Sequence, residues 1–248
     1  METVAQICEQ LGSSDQVKAF QARRALLVKA AAAGSPGKEA ERTALAAELA
    51  GCLVAKSEAK KEEMRYATSA RNEICRTLAD VGGDAEVAAL VQTLSDFDVR
   101  EMARFALDRI PTAAAAAALA EANQKVVGVE FRVGVTNALA KRKDAAALEA
   151  LKLAVGDSSQ DVRLAAAEGL ALQADAAGDA AIIEVGKQLG PASPRAAKRM
   201  DIARLQLAAT LAKAGQKDAA RGIYQALTSD GADEAQKKAA KTALEQLG

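Results

Sequence analysis

A ten-residue pattern that occurs twice constrains the fold of this 248-residue chain more than any other feature. Asp98–Leu107 and Asp161–Leu170 share the order Asp-Val-Arg, then an alanine three residues after the arginine and a leucine seven residues after it. Residues three and seven positions apart lie on one face of an α-helix. The pattern therefore predicts a helix with an apolar face at both places.

The same spacing recurs along most of the chain. Each basic anchor is followed by an apolar or small residue after three positions and by a leucine after seven. The anchors are Arg71, Arg100, Arg132, Arg163, Arg204 and Lys237. Further helical segments lie between them, at about 84–94, 112–122 and 144–155. A period of about 31 residues with helical spacing inside each unit predicts a solenoid of stacked helix pairs.

Composition agrees with this class. Alanine, leucine, glutamate, lysine, glutamine and arginine dominate, and all of them favour helix, whereas the chain has only 4 prolines. Aromatic residues make up 2% of the chain, so the core must consist of small and aliphatic side chains, which suit closely spaced helices. We predict an all-α fold, a right-handed α-α superhelix of six to seven helix pairs.

Two segments show how the helices are assigned. Val17, Phe20, Leu27 and Ala31 have helical spacing and predict a long helix over residues 16–33. Residues 126–135 instead alternate between apolar and other side chains, which is a strand pattern. The anchor Arg132 and its leucine place this second segment in a repeat, so we predict a helix there from about Glu130.

The Asp-Val-Arg-x-x-Ala-x-x-x-Leu units resemble HEAT repeats, especially the short bacterial type that also occurs in phycobilisome-lyase-related proteins. The resemblance covers residues 61–190 well and 13–56 loosely. It implies that the valine, alanine and leucine pack each helix pair, while the aspartate and arginine form hydrogen bonds between repeats. The residues expected in this ladder are Asp98, Arg100, Asp161 and Arg163.

Near the C-terminus the pattern resembles a single tetratricopeptide helix pair. The residues that carry this resemblance are Leu207, Ala208, Leu211, Gly215, Ala220, Tyr224 and Leu227. Gly190-Pro191 and Ser193-Pro194 suit a joint between the two repeat styles. We therefore predict a HEAT-like solenoid over residues 1–190, continuous with a tetratricopeptide-like pair and a capping helix over residues 191–248.

Residue types restrict the chemistry that the chain can perform. It has no histidine, which removes Ser-His-Asp triads and histidine metal sites. Cys8, Cys52 and Cys75 have no Cys-x-x-Cys spacing, and we interpret them as small buried side chains. Carboxylates are plentiful but scattered, and Gly82-Gly83 is best explained as a turn. We expect no catalytic site, no cofactor and no metal.

Charge and hydropathy restrict the partners and the location. Lys plus Arg equals Asp plus Glu at 33 each, without the basic excess typical of nucleic-acid binders. Basic residues do accompany the anchor helices, at Arg71, Arg100, Arg104, Arg132, 141–143 and Arg163, but the ladder explains the anchors among them. No apolar run is long enough for a membrane span. We expect a soluble protein, cytoplasmic, or periplasmic or secreted if a signal peptide has been removed.

These observations favour a non-catalytic scaffold or adaptor that offers a curved surface to a protein partner, with an oligomeric state that the sequence leaves open. The resemblance also admits an alternative, a HEAT-like enzyme or nucleic-acid-binding protein of the phycobilin-lyase or DNA-glycosylase type. Residues that do not repeat between units are the candidates for specificity, because repeated ones are explained by stacking. The candidate binding residues are Glu101, Arg104, Asp108, Asn137 and Glu168.

Overall fold

A computed structural model describes residues 2–125, 128–189, 193–229 and 234–248. The chain divides into two compact units, residues 1–126 and 127–248, called here the N-terminal and C-terminal units. Fourteen α-helices and one 3₁₀ helix lie within the described ranges, where the only β pairing is an isolated bridge between Lys56 and Met64. This confirms the predicted all-α fold.

The N-terminal unit contains seven α-helices. They are α1 (Val4–Leu11), α2 (Gln16–Ala33), α3 (Glu39–Val54), α4 (Thr68–Val81), α5 (Val87–Thr93), α6 (Arg100–Arg109) and α7 (Ala113–Lys125), with the 3₁₀ helix Asp84–Glu86 before α5. Every helix from α1 to α5 contacts the helix two places further along the chain. Contact between every second helix is the arrangement of stacked helix pairs, in which each pair covers the apolar face of the one before.

The C-terminal unit contains the other seven helices. They are α8 (Val129–Lys141), α9 (Ala145–Ala154), α10 (Gln160–Leu170), α11 (Gly178–Leu189), α12 (Pro194–Lys213), α13 (Lys217–Ser229) and α14 (Glu234–Leu247). Helices α8, α10, α12 and α14 contact one another in succession, and α9, α11 and α13 each contact the two helices that flank them in sequence. The unit is therefore one layer of four helices backed by three.

Local sequence accounts for several helix ends. The side chain of Asp15 accepts a hydrogen bond from the backbone N–H of Val17 at 2.9 Å, and Asp144 accepts one from Ala147 at 2.9 Å. Each satisfies an N–H that a first helical turn leaves without a backbone partner. Helix α6 ends at Arg109, two residues before Pro111, because the residue before a proline disfavours helical backbone.

Helix α8 resolves the conflict between the strand pattern and the repeat in favour of the repeat. It begins at Val129, one residue before the predicted start, and Gly128 precedes it with a φ of 112°. That backbone conformation suits glycine because it has no Cβ. Phe131 and Val135 are fully buried, so packing in the unit outweighs the β propensity of the segment.

Helices α12 and α13, which precede the last helix α14, pack against each other. Leu207, Ala208 and Ala220 between them are fully buried. Gly215 makes the turn with a φ of 82°. The tetratricopeptide likeness and the boundary after residue 190 stay predictions, and Gly190 and Pro191 of the predicted joint lie outside the described residues.

Helix α2 has the predicted bounds, yet the side chains whose spacing predicted it do not form its buried face. The side chains that α2 buries are Ala22, Leu26, Ala30 and Ala33. Val17, Phe20 and Leu27 are 64%, 63% and 56% exposed. Packing against α1, α3 and α4 therefore uses the small-residue face of α2 and leaves the bulkier face outward.

Candidate functional site

Three of the anchor arginines form ion pairs with aspartates 25 residues away, which follow Arg71 and Arg132 in sequence and precede Arg204. Arg132 on α8 donates from Nε and Nη2 to the two carboxylate oxygens of Asp157, at 3.2 and 3.0 Å. Arg204 on α12 donates in the same two-pronged way to Asp179, at 2.7 and 3.3 Å. Arg71 on α4 pairs with Asp96 and also donates to the carbonyl of Leu53 at 3.2 Å. Two parallel N–H···O bonds fix orientation as well as distance.

The carboxylates of this ladder differ from those that the resemblance implied. Asp96 and Asp157 precede the repeated Asp-Val-Arg motif, whereas Asp98 and Asp161 belong to it and are exposed. Arg163 donates instead to the backbone carbonyls of Asp157 and Ser158, at 2.8 and 3.1 Å. The loop before α10 is thus held by Arg132 through a carboxylate and by Arg163 through carbonyl groups.

The pKa values of the ladder aspartates reflect this pairing. Burial on its own raises the pKa of Asp157, but the hydrogen bonds from Arg132 and from the N–H of Ser159, with the positive charge of Arg132, outweigh burial and lower it. The pKa of Asp96 is lowered in the same way, with burial opposed by Arg71. Both groups are therefore held as carboxylates in the folded chain.

Several other members of the predicted basic stripe bind acceptors of the chain itself. Arg104 contacts Glu101 at 2.9 Å, and Arg142 contacts Asp144 at 2.9 Å. Lys143 donates to the carbonyl of Leu172. These basic side chains therefore bind acceptors within the chain. That nucleic acid is not a partner stays a prediction.

The five candidate binding residues fall on three helices. Glu101, Arg104 and Asp108 lie on α6, where Glu101 is exposed and the other two are half-buried. Asn137 lies on α8 and Glu168 on α10, so these two belong to the C-terminal unit. The structure thus divides the candidates into an N-terminal set of three and a C-terminal set of two.

The C-terminal candidates share one groove of about 400 Å³, which we call the α8–α12 groove. Its lining residues are Val129, Glu130, Val133, Asn137, Asp161, Ala165, Glu168 and Arg199. Helices α8 and α10 supply all of them except Arg199, which comes from α12. Nε of Arg199 contacts Oε1 of Glu168 at 2.7 Å, and this carboxylate raises the pKa of the arginine.

The repeat phase explains why these residues meet. Glu130 and Asp161 each stand two residues before an anchor arginine, and Asn137 and Glu168 each stand five residues after one. Positions seven apart lie on one helix face, so successive repeats present the same two positions side by side. The repeat resemblance assigned Asp161 to the ladder, and it gave Glu130 and Arg199 no binding role. Asp161 and Glu130 could have been identified from their shared position relative to the anchor arginines. Arg199 could not, because it has no such equivalent.

A second cluster of polar groups lies in the N-terminal unit around two cysteines. The thiols of Cys8 and Cys52 are close enough to shift each other's pKa, and Sγ of Cys52 lies 3.8 Å from the hydroxyl of Tyr66. The neighbouring Cys8 thiol, the bond to Tyr66 and the charge of Arg65 together lower the pKa of Cys52, against the opposing effect of burial. The Cys52 thiol and burial raise the pKa of Cys8. The cysteines are therefore spatial neighbours, although the sequence spaces them far apart.

The described ranges lack two kinds of feature. No helix there is long and apolar enough to cross a membrane. No group of three or more cysteine, aspartate or glutamate side chains there is arranged to hold a metal ion.

No protein-family model matches this chain. No curated protein matches it either. Among solved structures, it is similar to an engineered protein at 20% identity and a TM-score of 0.46, over 100% of this chain and 68% of the other.

It is also similar to two enzymes of known structure. One is the complex of CpcE and CpcF of phycocyanin lyase from Nostoc sp. PCC7120, at 17% identity, a TM-score of 0.44, and coverage of 100% of this chain and 96% of that one. The other is human deoxyhypusine hydroxylase, at 17% identity, a TM-score of 0.37, and coverage of 98% and 95%. The helix pairs of this chain are defined by contacts between its own helices.

Proposed function

We propose that this chain is a non-catalytic helical-repeat scaffold that binds a partner protein through the α8–α12 groove. One observation carries the proposal: Asn137 and Glu168, from equivalent positions of successive repeats, line the same groove. Binding surfaces of repeat proteins arise where adjacent units present such positions side by side. The repeated residues build the unit, and the variable ones give the groove its chemistry.

The groove favours a partner segment with an apolar side chain and neighbouring positive charge. Val129, Val133 and Ala165 supply an apolar lining. Glu130 and Asp161 add two carboxylates at its edge, while Glu168 is already paired with Arg199. A lysine or arginine of the partner would lie near the first two, and Asn137 can both donate and accept a hydrogen bond. Electrostatic complementarity of this kind sets specificity and the association rate more than affinity.

The test compares capture of partners by the full chain and by groove variants. Asn137→Arg combined with Asp161→Arg adds positive charge and bulk to the groove at two exposed positions, so the fold should be retained. We expect a protein captured from the native host by the unmodified chain to be lost with this variant. Glu184→Arg, an exposed substitution on α11 outside the groove, is the matched control and should capture the same protein.

Two results would contradict the proposal. Capture of the same proteins by the unmodified chain and by the groove variant would remove the groove from the interaction. Uptake of bilin by the purified chain, seen as a coloured complex, would instead favour the enzymatic alternative that the HEAT-like repeat suggests. Circular dichroism of both variants must show the helical content of the unmodified chain for either comparison to count.

A further inference from the structure

Helix α2 is apolar on two opposite faces. One face is buried against the N-terminal unit through Ala22, Leu26, Ala30 and Ala33. The opposite face carries an exposed stripe, which we call the α2 stripe, made of Val17, Phe20, Leu27, Val28 and Ala31. Val17, Phe20 and Val28 are each more than 60% exposed. A contiguous apolar stripe that stays exposed on a helix whose opposite face is already buried is suited to contact with another molecule.

The spacing of the α2 stripe is that of a helix-packing seam. Its members follow one another at intervals of three, seven, one and three residues along α2. Residues at these intervals lie on one face over most of the length of the helix. A groove of about 440 Å³ borders the stripe at Val28, and besides Val28, Ala25 and Ile7 of α1 its lining is polar or charged. The apolar surface offered to a partner is therefore the stripe itself, with the groove along one edge.

The charges on α2 identify the chemistry of the occupant. The helix carries Lys18, Arg23, Arg24 and Lys29 and has no acidic residue. Arg23 pairs with Glu73 of α4 at 3.1 Å. Arg24 and Lys29 line the groove beside the stripe, and Arg24 lies between Phe20 and Leu27 along the helix. Glu2 lines the same groove and accepts a hydrogen bond from Gln10 at 2.9 Å, so the basic residues Arg24 and Lys29 outnumber it. A partner that covers the stripe is therefore favoured if it places negative charge next to Arg24.

Two other occupants fit this surface less well. A second copy that packed its own α2 antiparallel against this one would bring Arg24 close to Arg24 of the copy, and like charges across an interface oppose association. A lipid surface would take the apolar stripe, but Arg24 in the middle of the stripe would then enter the apolar layer, where an arginine is costly.

We propose that the α2 stripe and its groove dock an acidic amphipathic helix of a partner protein. The apolar face of that helix covers Phe20 and Leu27, and a carboxylate of the partner pairs with Arg24 and fixes the register. This is the binding mode in which a helix lays its apolar face in a groove. The surface belongs to the N-terminal unit and is independent of the α8–α12 groove.

The test titrates the full chain with two synthetic amphipathic helices of about 18 residues, the length needed for helix formation in solution. Both have the same leucine stripe, flanked by glutamates in one and by lysines in the other. We expect the glutamate helix to bind at least about tenfold more tightly by fluorescence anisotropy. Replacing Phe20→Ser and Leu27→Ser together should weaken its binding by about tenfold or more, because large apolar anchors dominate such contacts.

The controls separate this proposal from its competitors and from the proposed function. Arg24→Glu should reverse the preference between the two peptides. Leu153→Ser removes a side chain that is 63% exposed on α9 and should change nothing. The α8–α12 groove variant should bind the glutamate helix normally.

Three outcomes would overturn the proposal. Equal affinity for the two peptides is the first. The second is sedimentation of the chain as a dimer that the Phe20→Ser and Leu27→Ser variant converts to monomer. The third is binding to vesicles of phosphatidylcholine and phosphatidylserine in equal amounts that the same variant loses.

Discussion

Arg132 on α8 and Asp157 in the loop before α10 form a two-pronged ion pair, with N–H···O distances of 3.2 and 3.0 Å. Both side chains are more than four-fifths buried, at 17% and 16% exposure. Because α8 and α10 belong to successive repeats, this pair fixes the position of one repeat against the next. It is the same relation, at the same sequence separation, as Arg71 with Asp96 in the N-terminal unit.

Asp157→Asn should therefore lower the free energy of unfolding by about 1–3 kcal/mol, since Arg132 would lose a charged acceptor in a largely buried place. Urea denaturation followed by circular dichroism measures this loss. Asp218→Asn is the control, because Asp218 pairs with Arg221 at the surface with 97% of its side chain exposed, and it should have little effect. Equal midpoints for the Asp157 variant and the unmodified chain would show that the pair does not stabilise the stack.

Stability should also depend on pH through the same group. The pKa of Asp157 is lower in the folded chain than in the unfolded one, so its contribution is present above the ordinary carboxyl pKa of about 4 and is lost as pH falls through the lower folded value. We expect the stability difference between the unmodified chain and Asp157→Asn to be constant near neutral pH and to shrink below about pH 4. A difference that grew on acidification would have the wrong sign for this account.

Arg163→Ala removes two hydrogen bonds to the carbonyls of Asp157 and Ser158. We expect a loss of about 1–3 kcal/mol and a lower melting temperature, because these carbonyls would lose a charged donor. Arg163→Lys is a second variant to compare with Arg163→Ala, because a lysine keeps the positive charge but lacks the planar guanidinium. A melting temperature that alanine leaves unchanged would exclude Arg163 from the support of this loop.

Leu107→Ala tests the register of the repeat itself. Leu107 is fully buried on α6 and occupies the leucine position of the motif that recurs along the chain. Truncation of a buried leucine should cost about 2–5 kcal/mol, through lost burial and the cavity left behind. Leu153→Ala, at a leucine that is 63% exposed, is the matched control. A loss below about 0.5 kcal/mol for Leu107→Ala would mean that the register is wrong.

The three cysteines should differ in their reaction with iodoacetamide at neutral pH. Burial raises the pKa of Cys75 to about 12, and the pKa of Cys8 is also raised, whereas that of Cys52 is lowered. Because the thiolate is the reactive form, peptide mass mapping should find Cys52 modified first. Tyr66→Phe removes the hydroxyl that can donate to the Cys52 thiolate, so it should raise the pKa of Cys52 and slow the reaction. Equal modification of all three cysteines in the folded chain would refute this order.

The fold class and most helix positions could be predicted from sequence, because they depend on spacing within a few turns. The recurring Arg-x-x-Ala-x-x-x-Leu pattern places an apolar face on each helix whatever lies opposite. Asp15 and Asp144 cap their helices through bonds to residues two and three positions away. The repeat period also predicts a helix in the strand-like segment around Arg132, and the structure has helix α8 there from Val129 onward.

The groove and the ladder could be predicted only in part. Asn137 and Glu168 were selected because they do not repeat, and the structure places both in one groove. Arg199 joins them from α12, across an irregular interval of 41 residues that the period of the other repeats does not describe. The same limit applies to the ladder, where the motif suggested Asp98 and Asp161, while loop geometry brings Asp96 and Asp157 to the arginines.

The sequence by itself determined that this chain forms helices and approximately where most of them lie, since helical spacing and helix-end signals depend on near neighbours in the chain. The recurrence of the unit, rather than any local contact, indicated that the helices stack in pairs. Only the tertiary structure decided which face of α2 is buried. That helix has two apolar faces, and the choice depends on which of them fits closely against α1, α3 and α4. The small alanine face packs there, and Phe20 and Leu27 are left outward for a partner.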